Sequence, residues 1–327
     1  MIRLIYTLIK MGLFSPFGLY CLLFVICRYG INIMALLSFA EKIFADKIAL
    51  VDENETLTYK ELLSQSKKIS IILKEKYHIE SGQKVGFICK NHASLIKALF
   101  AVSQSGADIY LLNAEMSSSQ LNNVLEQIDF HLIIYDFELN PIIEGSSYKK
   151  GKILSYHDHL PAINNLPCQC LHESIKTKRS SAGKLVIMTG GTTGSSKAAA
   201  HKPSLFNYLN PFVSMITRLK LINYNTAYIS TPIYHGYGIA VLLLFIALGK
   251  KVIIQKGFDA QKACNLIREH NVEVITLVPL MLFKMLKHNP EDLRSLTCII
   301  SGGAELSPKL VHETFSKLGD VLYNLYG

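Results

Sequence analysis

The sequence predicts an α/β fold with mostly parallel sheets, on three observations. Short, apolar, β-branched runs alternate with amphipathic stretches after Phe39, the pattern of βαβ units. A glycine- and hydroxyl-rich loop from Thr189 to Lys197 directly follows one of those runs. The chain has 327 residues, 50% hydrophobic and 18% charged, enough for a substantial core and a prior of about two domains. This composition excludes a disordered chain, and the absence of a recurring block excludes collagen, coiled coil and solenoid architectures.

In chain order, Met11–Cys27 runs without a charge between Lys10 and Arg28, at the lower limit for a spanning helix. Pro16 and Gly18 interrupt it, and no small-residue cleavage site follows, so it does not read as a signal peptide. It is either a membrane anchor, spanning or lying in the interface, or an apolar helix packed on the folded body. As an anchor it places the rest on the cytoplasmic face of a membrane. Residues 1–39 form this apolar segment, 40–183 a first α/β lobe with its connection, and 184–327 a second lobe. One large sheet system split in two is the alternative.

Within the first lobe, Val85–Cys89, Ile109–Leu112 and His131–Tyr135 read as strands, and Ala93–Ser103 and Ser119–Gln127 as helices. A polar connection from Asn140 to Gly183 follows. Strands then recur at Lys184–Met188, Thr226–Ser230, Lys251–Gln255, Val272–Val278, Cys298–Ile300 and Val321–Asn324. Ser307-Pro308 marks a helix start, a hydroxyl cap followed by proline in the first turn.

Seven cysteines at irregular spacing fit a reducing compartment, and neither Cys168-x-Cys170 nor any histidine pattern makes a metal site. The net charge of +9, from 34 basic and 25 acidic residues, is spread along the chain without a nucleic-acid-binding motif. No nucleic-acid partner is expected; an anionic small substrate or lipid surface accounts for the charge.

The chemistry is carried by Thr189-Gly190-Gly191-Thr192-Thr193-Gly194-Ser195-Ser196-Lys197. Glycines let successive N–H groups approach one anion, and hydroxyls and an ammonium add donors for phosphate oxygens. Ser196 stands where the Walker pattern needs glycine before lysine, so this is a different phosphate loop.

Thr189–Ala198 resembles the signature of the AMP-forming acyl-adenylate ligases, the superfamily of acyl-CoA synthetases, luciferases and peptide-synthetase adenylation domains, with Ser196 replacing its proline. Further blocks appear in the same order: Leu57-Thr58-Tyr59-Lys60-Glu61-Leu62, Gly106–Asn113, Thr231-Pro232-Ile233-Tyr234-His235-Gly236-Tyr237-Gly238, Ser301–Ser307 and Tyr323–Gly327.

The resemblance implies the large N-terminal domain of that fold. It also implies a two-step reaction: a carboxylate attacks ATP to give acyl-AMP and pyrophosphate, and coenzyme A then takes the acyl group. Thr189, Gly190, Gly191, Thr192, Thr193, Gly194, Ser195 and Lys197 are implied as phosphate contacts, and Gly302, Gly303, Ala304 and Tyr326 as the adenine pocket. His235 is implied as a gate between phosphates and acid. It is not a general base, because a carboxylate is already ionised at neutral pH.

Tyr234 and His235 stand where amino-acid-selecting relatives carry an acidic residue, so the expected acid is a medium- to long-chain fatty acid. Val241–Ala247 and Leu277–Leu286 are its candidate lining. The chain stops before the family's Mg²⁺-binding glutamate and its small C-terminal domain. The expectation is an N-terminal piece, inactive alone, whose partner would be a separate C-terminal ligase piece. A non-catalytic remnant or membrane-bound acyl or nucleotide sensor is the alternative.

Overall fold

The computed structural model describes residues 15–169, 179–180, 183–189, 197–201 and 214–325. Helix Pro16–Tyr29 starts where the Ser15 hydroxyl accepts the Gly18 N–H at 2.9 Å, with proline in its first turn. It ends at Gly30. Asn32 then caps helix Ile33–Phe44, its Oδ1 accepting the Ala35 N–H while its Nδ2 donates to Tyr29 O. The described part of the apolar stretch is thus two helices with a sharp joint. No described helix is long and apolar enough to cross a membrane. Cys21, Val25 and Tyr29 are buried in the main core together with Met34, Leu37 and Ala40.

Two mixed sheets follow. Strands β1 (Ile48–Val51) and β2 (Thr56–Thr58) pair antiparallel. Then come β3 (Lys84–Ile88), β4 (Asp108–Leu111), β5 (Leu132–Tyr135), β6 (Gly151–Leu154), β7 (Leu185–Thr189) and β8 (Lys197–His201). The remaining strands are β9 (Thr226–Ile229), β10 (Lys251–Ile254), β11 (Val274–Leu277), β12 (Cys298–Gly302) and β13 (Leu322–Leu325). A six-stranded sheet has the order β6-β5-β3-β4-β7-β8, and a seven-stranded sheet the order β13-β12-β11-β9-β10-β1-β2. All pairs are parallel except β1–β2 and β7–β8.

The interior parallel strands are buried on both faces and therefore read as continuous apolar runs, whereas the edge strands β6 and β13 are only partly buried. β5, β9 and β11 are buried at every position, which is why the sequence located them within one or two residues.

The sheets divide the chain differently from the expected boundary at residue 183. β1 and β2 join the second group of strands through β1–β10, while β7 and β8 close the first sheet through β4–β7. The phosphate-loop strand thus belongs with the first group. Local patterning reports that a strand exists, but its partner is decided by long-range pairing. The polar connection after Asn140 also contains a strand, β6, paired with β5.

The early Leu57–Leu62 block is a helix start. Thr58 and Glu61 form a reciprocal capping box for helix Tyr59–Tyr77. The buried Tyr59 hydroxyl donates to Lys250 O at 2.9 Å, locking that helix onto the second sheet. Burial pushes its pKa up.

Candidate active site

Parallel sheets gather ligand sites at the carboxyl ends of their strands, where the connecting loops converge. Here β3 leads into Cys89-Lys90-Asn91-His92, and Asn91 reaches across to the other sheet. Its buried Nδ2 donates to Thr231 O at 2.9 Å, and its Oδ1 accepts the Ile233 N–H at 2.8 Å. One amide side chain therefore fixes the backbone of the Thr231–Gly238 block. A single asparagine outside the recognised blocks gave no signal in the sequence.

That block makes a turn, with His235 N–H donating to Pro232 O at 3.2 Å, and starts helix Gly236–Ala247. Gly238 is required by space: a Cβ there would overlap the Pro232 carbonyl and lie 2.9 Å from Ile233 Cα. Tyr237 donates its hydroxyl to Ile300 O at 3.0 Å on β12. Its ring lies 3.6 Å from where a Cβ on Gly302 would stand.

A Cβ on Gly236 would stand 3.4 Å from Ile187 Cδ1, on the strand leading into the phosphate loop. The start of this helix is thus wedged between β7 and β12. Tyr237, absent from the predicted site, is the link.

His235 is open to solvent beside Tyr234, their ring centroids 4.6 Å apart. Partial burial of the imidazole pulls its pKa below the usual value, and the Glu115 carboxylate opposes this. Burial, aided by Glu115, pushes the Tyr234 hydroxyl up to about 12. Both rings are therefore uncharged at neutral pH, leaving His235 free to accept or donate one hydrogen bond.

β12 ends in the expected strand-to-helix turn. Gly302 is buried, Gly303 adopts φ +79, which glycine alone takes without strain, and Gly303 and Ala304 are exposed at the mouth. Ser307 accepts the Leu310 N–H to cap helix Pro308–Leu318. The buried hydroxyls of Thr231, Thr276 and Ser301 have no hydrogen-bond partner among the described residues. Unpaired hydroxyls at strand ends suit a polar ligand.

Thr189 and Lys197 close the β7–β8 hairpin opposite each other in register. Gly190, Gly191, Thr192, Thr193, Gly194 and Ser195, together with Tyr326, lie outside the described residues. The site thus brings together the ends of the phosphate-loop hairpin, the His235 turn and Gly302-Gly303-Ala304.

A cleft of about 320 Å³ borders this arrangement, lined among others by Tyr234, Phe258, Val278, Leu280, Met281 and Lys284. Part of the predicted acyl lining, around Leu277–Leu286, is therefore at a cleft. The other part is not: Val241, Leu242, Leu244, Phe245 and Ile246 are buried in the main core.

Cys89, His92 and Asp136 bring metal-type donor atoms within 4.8 Å of one another, yet each is already engaged. His92 Nδ1 accepts the Leu95 N–H at 3.0 Å, so its Nε2 carries the proton facing Asp136 Oδ1 at 2.9 Å. Asp136 Oδ2 accepts the Lys90 N–H, Ser155 donates to Oδ1, and the Cys89 thiol donates to Ile134 O. Burial pushes the Asp136 carboxyl up, but bonds from His92, Ser155 and Lys90 outweigh it and hold the pKa below the usual value. This is a structural clamp on the loop carrying Asn91. Its thiol and imidazole do not suit Mg²⁺, which takes oxygen ligands.

The fold and this convergence define an α/β domain with a candidate ligand site at its strand ends. The profile of the family described as AMP-binding enzyme matches residues 39–327, and the chain belongs to that family. It is 23% identical over 283 residues to the 2-succinylbenzoate–CoA ligase of Bacillus pumilus, covering 86% of this chain and 56% of that protein. It is 27% identical over 302 residues to tyrocidine synthase 3 of Brevibacillus parabrevis, covering 86% of this chain and 4% of that one.

Among solved structures, one assigned as a long-chain-fatty-acid CoA ligase from Rhodopseudomonas palustris superposes with TM-score 0.77 at 18% identity, covering 91% of this chain and 75% of that one. The o-succinylbenzoate CoA synthetase of Bacillus subtilis gives 0.75 at 22% identity, with coverages of 89% and 58%. These likenesses establish the N-terminal domain fold of acyl-adenylate ligases. The chain spans about half the length of the 2-succinylbenzoate–CoA ligases it matches.

Proposed function

We propose that this chain supplies the nucleotide- and acid-binding domain of an AMP-forming acid–coenzyme A ligase. The observation that carries the reading is the convergence at one end of the two sheets of the β7–β8 hairpin, the His235 turn and the Gly302-Gly303-Ala304 turn. In the first step a carboxylate oxygen bonds to the α-phosphorus of ATP, and the bond to pyrophosphate breaks. In the second the coenzyme A thiol adds to the acyl carbon and AMP leaves.

The chain's residues contribute position and charge, which dominate such transfers. Lys197 and the loop donors hold phosphate oxygens. Neutral His235 orients the acid, and the Gly303–Ala304 mouth admits the flat adenine. Mg²⁺, when bound to ATP, neutralises phosphate charge.

The acid is a fatty acid. Phe258, Val278, Leu280 and Met281 supply apolar surface on the adjoining cleft, and Glu115, the acidic side chain on that cleft, is paired with Lys90 at 3.6 Å rather than left for a substrate ammonium. A second reading, an aromatic acid with a further carboxylate, is favoured by Lys90, Lys256 and Lys284 on the same cleft and by the 2-succinylbenzoate ligases among the relatives.

Acid-dependent pyrophosphate release with ATP, Mg²⁺ and coenzyme A, on a panel of fatty and aromatic acids, tests both readings. The chain is assayed alone and with a C-terminal ligase domain supplied in trans. Release with fatty acids supports the first reading and release with aromatic dicarboxylates only the second. Release with no acid under either condition overturns the ligase assignment.

A further inference from the structure

Helix Pro16–Tyr29 is apolar on two sides. Gly18, Cys21, Val25 and Tyr29 face the body and are buried. At about 100° per residue they occupy an arc of roughly 80°. Phe17, Leu19, Tyr20, Leu23, Phe24 and Cys27 are exposed and occupy a separate arc of roughly 160° with no charge in it. Tyr20 and Leu23 are each 64% exposed and Phe17 59%. A helix packed on a globular body normally turns polar residues outward; this one turns out aromatic and aliphatic side chains. Tyr20 and Phe24 stack with centroids 6.2 Å apart.

The helix is firmly seated. Its last turn is tied to the body through Asn32 and Ser180, the Ser180 N–H donating to Tyr29 O and its hydroxyl to Gln104 O. The outward face is therefore presented by a fixed scaffold.

We propose that this face is a docking surface for an anionic lipid bilayer, with the helix lying in the interface plane. Charge selects the occupant. The first 40 residues contain Arg3, Lys10 and Arg28 and no acidic residue. Arg28, exposed in the last turn, stands at the border of the outward apolar arc. Apolar insertion with cations near the headgroups is the combination that gives interfacial binding to anionic membranes. The helix is about 21 Å long, short of the roughly 30 Å hydrocarbon core, which suits lying in the interface. The inference goes beyond the ligase reading and stands without it.

The experiment is co-sedimentation of the full chain with vesicles of phosphatidylcholine alone or mixed with phosphatidylserine, at low and high salt. The wild type is expected in the pellet with the mixed vesicles, with weaker binding in high salt. Tyr20→Asp/Leu23→Asp changes only exposed positions. It is expected to lower the partition about tenfold or more with an unchanged melting temperature. Arg28→Gln is expected to weaken the preference for phosphatidylserine. The proposal is overturned if the wild type ignores both vesicle types or if the double variant binds like the wild type. It is also overturned if the face proves to hold a second copy, seen as a dimer that the double variant dissolves without any vesicle binding.

Discussion

Asn91 is the residue on which the geometry of the site most depends, and its replacement gives the sharpest test. Changing Asn91→Ala removes the acceptor of the Ile233 N–H and the donor to Thr231 O, both in a buried setting. Each orphaned backbone group costs about 1–3 kcal/mol, so the expected destabilisation is about 2–6 kcal/mol. Unfolding entropy of about 2.1 cal/mol/K per residue converts this to a lowering of Tm by roughly 3–9 °C.

The relevant assay is urea unfolding with the slope compared between variants, because a changed slope would mean a changed denatured or native compactness. The Thr231–Gly238 backbone should also loosen, speeding hydrogen exchange at Ile233 more than at Ile275 in the middle of β11. A loss below about 0.5 kcal/mol with unaltered exchange at Ile233 would refute the claim that this amide braces the turn.

Three further outcomes follow from the same geometry. Asp136→Asn replaces a buried carboxylate that accepts from His92, Ser155 and Lys90, and should cost about 3 kcal/mol at neutral pH by chemical denaturation. Because the folded Asp136 pKa is depressed, its stabilising contribution is complete above the unfolded carboxyl value, near 3.9. It is lost as pH falls through the folded value, so the gap between wild type and variant should close in that acid window. Gly238→Ala should destabilise by about 2 kcal/mol, since its Cβ has no room against Pro232 and Ile233; an unchanged Tm would contradict the packing. The His235 ring should titrate below 6.5 by NMR, and lower still in Glu115→Gln, because Glu115 is the group that raises it.

The sequence revealed most of the parallel strands after residue 84 because buried parallel strands have no polar alternation to confuse them; the edge strand β6 opens on Gly151-Lys152 and was hidden in the polar connection. It revealed the ends of the site for a different reason. Ser307-Pro308 and Gly302-Gly303 have local backbone roles, and local roles leave local signatures. β8 was not legible: Lys197-Ala198-Ala199-Ala200-His201 lacks β-branched residues, and only pairing with β7 makes it a strand. Sheet membership was equally hidden, since nothing near Ile48–Val51 announces that its neighbour is Lys251–Ile254. Asn91 and Tyr237 were invisible as site supports because their partners lie 142 and 63 residues away. The apolar run Val241–Ala247 misled for the converse reason, as apolar residues lining a cleft and filling a core have the same composition.

The central claim is that the convergent strand ends bind a nucleotide through the Thr189–Lys197 loop. Calorimetric titration of the full chain with Mg·ATP, for the wild type and for Lys197→Ala, tests it most directly. Saturable binding that weakens about tenfold in the variant at unchanged Tm is the predicted result, since one charge-assisted phosphate contact is worth about 1.5–3 kcal/mol. No binding by the folded wild type, or equal affinity in the two proteins, would contradict it.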